Sequence, residues 1–136
     1  MLLILAVLIS IPFSICLKEQ SIGVKGRFLC GSAPLANAVI KLMNKNKIGM
    51  YDILDTVQTS ENGSFETKGT INSVFGMDVK VNVAHDCDRH LPCQRTFDFY
   101  IPSKYISRST DVQKWFYLGK WNLEVILPEE ESNCIN

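Results

Sequence analysis

The densest chemistry in this 136-residue chain is one run, His85-Asp86-Cys87-Asp88-Arg89-His90-Leu91-Pro92-Cys93. It holds both histidines of the protein, two aspartates and two of the five cysteines. Imidazole nitrogen and thiolate sulfur are zinc donors, so a metal site is the first chemistry to weigh. Thiolate ligands must stay reduced, and Cys-x5-Cys is wider than the knuckles of zinc modules. The cysteines read instead as disulfide partners, which leaves His85 and His90 as the candidates for a surface metal site. The expectation is no metal and no cofactor. His85 continues the inward face of a strand, where a hydrogen-bonded structural histidine is the plain reading.

Hydrolytic chemistry has less support. Catalytic triads are defined by geometry and not by chain order. Yet the sequence has no Gly-x-Ser-x-Gly elbow, and its histidines fall only in this run. Glu129, Glu130 and Glu131 form a carboxylate run in a polar tail, which reads as solvated charge. No glycine-rich phosphate loop is present. The chain is therefore not expected to be an enzyme. Metal-dependent or hydrolytic activity, were there any, would sit on the His85–His90 loop.

Trp115, Phe116, Tyr117 and Trp121 crowd together near the C-terminus, with Tyr100 and Tyr105 shortly before them. Trp121 is expected in the core. Aromatic anchors dominate binding hot spots, so Trp115, Tyr117, Tyr100 and Tyr105 are the candidate contact residues. Asn62-Gly63-Ser64 is both an N-glycosylation acceptor and an Asn-Gly hairpin turn.

The elements that must position these groups alternate strictly. Ile22, Val24, Gly26, Phe28 and Cys30 share one face against Lys25 and Arg27. Ala38, Ile40 and Leu42 alternate with Val39, Lys41 and Met43. Val79, Val81, Val83 and His85 alternate with Lys80, Asn82 and Ala84. Phe97, Phe99 and Ile101 alternate with Asp98 and Tyr100. Trp121, Leu123, Val125 and Leu127 alternate with Asn122, Glu124 and Ile126. Period two means half-buried strands. Weaker strands at Asp52–Thr59 and Ser64–Thr67 flank the Asn-Gly turn, and Thr70–Gly76 is a long ambiguous connection. Ser103–Ser107 can form one irregular turn after Pro102. About seven short strands at this spacing make an all-β sandwich.

Lysine plus arginine total 14, as do aspartate plus glutamate. A neutral chain has no electrostatic reason to seek nucleic acid. Met1–Ile15 carries no charge and is almost wholly apolar, yet it is short for a membrane span. Ser14-Ile15-Cys16 places small residues at −3 and −1 of a cut. Residues 1–16 therefore read as a signal peptide, residues 17–136 as one domain, and the protein as secreted. No second apolar run is long enough to span a bilayer. Removing Cys16 leaves Cys30, Cys87, Cys93 and Cys134, a disulfide set with three possible pairings. Spacing favours Cys87–Cys93, closing a short loop that contains Pro92, and hence Cys30–Cys134. That long loop would be worth about 4.7 kcal/mol in the chain-entropy model.

The stretches VKGRFLCGSAPLANAVIKL, TSENGSFET, VNVAHDCDRHLPCQRTFDFYIPSKYI and GKWNLEVILPEEESNC resemble, in order, the nematode transthyretin-like family. The HDC…PCQR block with a later C-terminal cysteine is the most specific part. The resemblance runs from about Val24 to Cys134. It implies a secreted transthyretin-like (prealbumin-like) β-sandwich of antiparallel and mixed strands. It also implies that the four family cysteines correspond to Cys30, Cys87, Cys93 and Cys134. The related 5-hydroxyisourate hydrolases end in Tyr-Arg-Gly-Ser. This chain ends in Ser132-Asn133-Cys134-Ile135-Asn136, so neither that activity nor hormone binding carries over. The expected partner is an extracellular protein or cell surface, with a small apolar ligand as the alternative.

Overall fold

A computed structural model of the chain describes residues 17–88, 93–127 and 130–133. The strands are β1 (Lys18–Cys30), β2 (Ala33–Pro34), β3 (Val39–Lys45), β4 (Tyr51–Gln58), β5 (Ser64–Ser73), β6 (Val79–His85), β7 (Gln94–Tyr100), β8 (Trp115–Asn122) and β9 (Glu131–Asn133). A single 3-10 turn, Ser103–Tyr105, follows Pro102. No helix among the described residues is long and apolar enough to cross a membrane.

The strands form two sheets. In the first, β1 pairs antiparallel with β5 and β2, and parallel with β8. The second runs β4-β3-β6-β7-β9, antiparallel throughout. The architecture is the all-β sandwich that the alternation predicts, and the parallel β1–β8 pair makes one of its sheets mixed. Inward rows from both sheets fill the core: Ile22, Val24 and Phe28 from β1, Ile40 and Leu42 from β3, and Val79, Val81 and Val83 from β6. Phe28 stacks on Phe65 at 5.1 Å and meets Phe97 edge-on at 6.2 Å. Fully burying such side chains is worth about 1.5–3 kcal/mol each. One corner is closed by Asp55, which accepts from the Thr67 hydroxyl at 2.7 Å and the Lys68 amide at 3.3 Å.

The Asn62-Gly63 turn is fixed by sterics. Gly63 has φ of +84°, and an added Cβ would lie 2.2 Å from the Phe28 carbonyl oxygen. Only glycine meets both conditions. The turn is thereby docked on β1, with the Phe28 amide donating to the Gly63 carbonyl at 2.9 Å.

Three expectations need correction. The ambiguous Thr70–Gly76 connection is partly strand, because β5 continues to Ser73 opposite Lys18. The strand expected over Trp121–Leu127 lies earlier, at Trp115–Asn122, and the chain turns at Leu123. The carbonyls of Leu123 and Val125 are taken by the Arg95 side chain and not by a neighbouring strand.

The third correction is the cysteine pairing. Cys30 bonds to Cys87, with 5.6 Å between their Cα atoms. This excludes both Cys30–Cys134 and Cys87–Cys93. The cause is parity. Cys30 ends the inward row of β1, and Cys87 extends the inward row Val83-His85 just past β6. Two inward rows that end at the same end of a sandwich bring their last residues face to face. Cys93 is also disulfide-bonded; Cys134 lies outside the described residues.

Candidate functional site

The strand β6 carries His85 inward, where it is 2% exposed. Its Nδ1 accepts the Cys87 amide hydrogen at 3.1 Å, and its ring meets Phe97 edge-on. Burial first, and the nearby Arg95 charge second, pull its pKa down to about 4. It is a neutral structural imidazole, as the plain reading expects. Among the described residues no three His, Cys, Asp or Glu side chains gather in a way that could hold a metal. His90, the second candidate, lies outside the described residues.

The sequence reading missed Arg95. This residue is the second of β7, opposite His85, and its guanidinium is buried. Nη1 donates to the carbonyls of Cys87 at 2.7 Å and Leu123 at 2.8 Å. Nη2 donates to the Val125 carbonyl at 3.1 Å and to Glu130 Oε2 at 2.8 Å, while Nε donates to Glu130 Oε1. Glu130 is therefore not the solvated tail charge that its neighbours suggest. Its Oε2 also accepts the Leu127 amide at 3.1 Å. The Arg95 guanidinium holds the Glu130 carboxyl below the usual carboxylate range. Every N–H of Arg95 is used internally, so its guanidinium braces the loops at one end.

The four aromatic candidates do not form one site. Tyr105 packs edge-on against Phe116 at 4.9 Å, in the layer beside the core. Tyr100 is exposed on the outer face of the second sheet, with Lys80, Asp98 and Tyr51 as neighbours. The neighbouring Tyr51 hydroxyl raises its pKa. Trp115 and Tyr117 do lie together, on the outer face of the first sheet. Trp115 lies against Gly23, where an added Cβ would come within 2.5 Å of the indole. The Lys25 ammonium sits 4.3 Å from the Trp115 ring and 5.8 Å from that of Tyr117.

A register shift in β8 makes this division. Tyr117 pairs with Lys25, but the next pair is Gly26 with Gly119, so Leu118 is an extra residue. Such a bulge reverses the alternation. Trp115 and Tyr117 thus face out, whereas Trp121 turns inward onto Phe97 and Phe99. Trp121 packs against the core as expected.

Asn62 is exposed at the β4–β5 turn, where its Oδ1 accepts the Ser64 amide at 3.0 Å.

Comparison with known proteins agrees with this architecture. A model of the transthyretin-like family matches residues 25–102. Transthyretin-like protein 5 of Caenorhabditis elegans is 31% identical over 137 residues, covering 99% of each chain. Transthyretin-like protein 33 of the same nematode is 35% identical over 119 residues, covering 86% of this chain and 83% of that one. Transthyretin-like protein 46 is 34% identical over 122 residues, or 88% and 68% of the respective chains. With the cross-sheet disulfide and the mixed two-sheet sandwich, these matches establish that the chain belongs to the transthyretin-like family.

Proposed function

We propose that this is a secreted binding protein that recognises an extracellular protein or cell-surface partner. In this reading residues 1–16 are a signal peptide and residues 17–136 the working domain. One observation carries the binding role. Tyr117, 69% exposed, lies beside the half-buried Trp115 on an open sheet face, and Lys25 holds the two rings in place. Large aromatics fixed on a rigid scaffold bind with little ordering cost. Two disulfides favour an oxidising compartment.

The test is a Trp115→Ala, Tyr117→Ala double variant, applied to dissociated nematode cells and read by flow cytometry. It should keep its fold by circular dichroism and lose at least tenfold in surface binding. Undiminished binding by the folded variant, or loss of the fold itself, would refute the site. Secretion is read separately by mass: the exported chain should begin at Leu17 and lack four hydrogens. Glycan on Asn62 would add mass removable by an amidase.

A second reading is a carrier of a small apolar ligand. It has one observation behind it, an open groove of about 400 Å³ with Ile71 and Phe75 among its walls. Organic extraction of the native secreted protein should then release a lipid-like molecule. Recovery of none would count against the carrier.

A further inference from the structure

The partner's chemistry is written on the outer face of the first sheet, and reading it there rests on the binding role just proposed. The strand register places the side chains in rows. Gly23 lies between Lys68 of β5 and Trp115 of β8. Lys25 lies between Glu66 and Tyr117, and Arg27 between Ser64 and Lys120. Neighbouring strands are about 4.8 Å apart, and alternate residues along a strand about 6.6 Å. Lys25, Arg27, Lys68 and Lys120 therefore spread over a field of roughly 10 by 13 Å.

In those rows the only carboxylate is Glu66. It lies 4.0 Å from the Lys25 ammonium with its side chain 59% exposed, and it offsets one of the four cations, so the face stays net positive. Four cations against one anion is a segregation of charge, since the whole chain balances 14 against 14. The cations are also ordered. Arg27 is anchored through Nε to the Asn62 carbonyl at 2.7 Å, and its terminal nitrogens have no hydrogen-bond partner among the described residues. Lys25 is set over the Trp115 and Tyr117 rings.

A ligand for this face must present repeated anionic groups to a flat array and apolar surface to two aromatic rings. We infer that the face binds a sulfated polysaccharide. Its sulfate and carboxylate groups are spaced along an extended polymer, matching cations spread over three strands. Pyranose C–H faces supply the apolar contact for the indole and phenol. The fit is to an extended chain lying across a flat sheet, which needs no deep pocket.

The experiment titrates full-length mature protein, disulfides intact, with short heparin oligosaccharides, following tryptophan fluorescence. Binding should appear and weaken steeply with added salt. Arg27→Gln, Lys68→Gln, Lys120→Gln together should reduce affinity at least tenfold, and Tyr117→Ala several-fold. Lys41→Gln with Lys45→Gln, on the second sheet, should change it less than twofold. Desulfated oligosaccharide of the same length should not bind. Thermal unfolding of each variant checks that its fold is intact. Equal binding to polyglutamate would overturn the assignment in favour of an acidic protein partner. If heparin fails to bind while nematode-cell binding still depends on Trp115 and Tyr117, the polysaccharide is wrong and the binding role stands. If the double aromatic variant also binds cells normally, both fall.

Discussion

Glu130 gives both of its carboxylate oxygens to Arg95, one to Nε and one to Nη2. The other three N–H bonds of Arg95 go to carbonyls from the segments after β6 and after β8. One side chain thus ties together the chain around Cys87, Leu123, Val125 and Glu130. Truncating one partner of such a buried pair strands the other. Arg95→Ala should therefore cost about 3–5 kcal/mol. Arg95→Lys should recover little, because an ammonium cannot reproduce the fork. Chemical denaturation measures both. A loss below about 1 kcal/mol for Arg95→Ala would show that the brace is not structural.

Acid should weaken the fold in a window set by His85. Its native pKa is about 4, against about 6.5 in an unfolded chain. Between those values the unfolded chain takes up a proton that the native state refuses. Stability is then complete above about pH 6.5 and declines as pH falls toward 4, by about 3 kcal/mol in all. Glu130 is held below the carboxylate range, so its contribution is lost at still lower pH. Denaturation midpoints from pH 7 to pH 4 should fall for the native chain and fall less for His85→Gln. Parallel curves would assign the acid sensitivity elsewhere.

Disulfide mapping of the secreted protein should recover Cys30 joined to Cys87. Gln94 lies opposite Asn133 in an antiparallel pair, so the expected partner of Cys93 is Cys134. Closing the 57-residue span is worth about 4 kcal/mol in the chain-entropy model. Cys30→Ser with Cys87→Ser should lower stability by up to that amount. A Cys87–Cys93 peptide from native protein would contradict the cross-sheet bond.

Gly63→Ala should destabilise by about 2 kcal/mol or more, from positive φ together with contact against the Phe28 carbonyl. Gly49 is the control. It has φ of +86° with open space around it, so Gly49→Ala should cost only about 1 kcal/mol. Equal losses at the two sites would mean that the close approach to Phe28 carries no weight.

Much of the sandwich is legible in the sequence, because alternation reports directly on burial. The inward rows of β1, β3 and β6 appear there residue by residue. The cysteine pairing was legible too, since Cys30 and Cys87 both continue inward rows. Short sequence spacing pointed the other way, and spacing carries no information about which sheets face each other. Arg95 and Glu130 lie 35 residues apart, and no local pattern joins a buried cation to one acid in a run of three. The β8 bulge was equally hidden. Trp115, Tyr117 and Trp121 share one parity in the sequence, and only the extra residue at Leu118 sends Trp121 to the other side.

The bond between Cys30 and Cys87 closes a covalent ring. The turns at Asn46–Met50, Ser60–Gly63 and Val74–Asp78 all lie within it. A protease that nicks any one of these tips opens the ring but does not release a fragment. Both cut ends stay attached to the same molecule, with their strands still in register in the two sheets. The part of the outer face that carries Lys25, Arg27, Glu66 and Lys68 is then built from segments that a cut at any of these three tips cannot part.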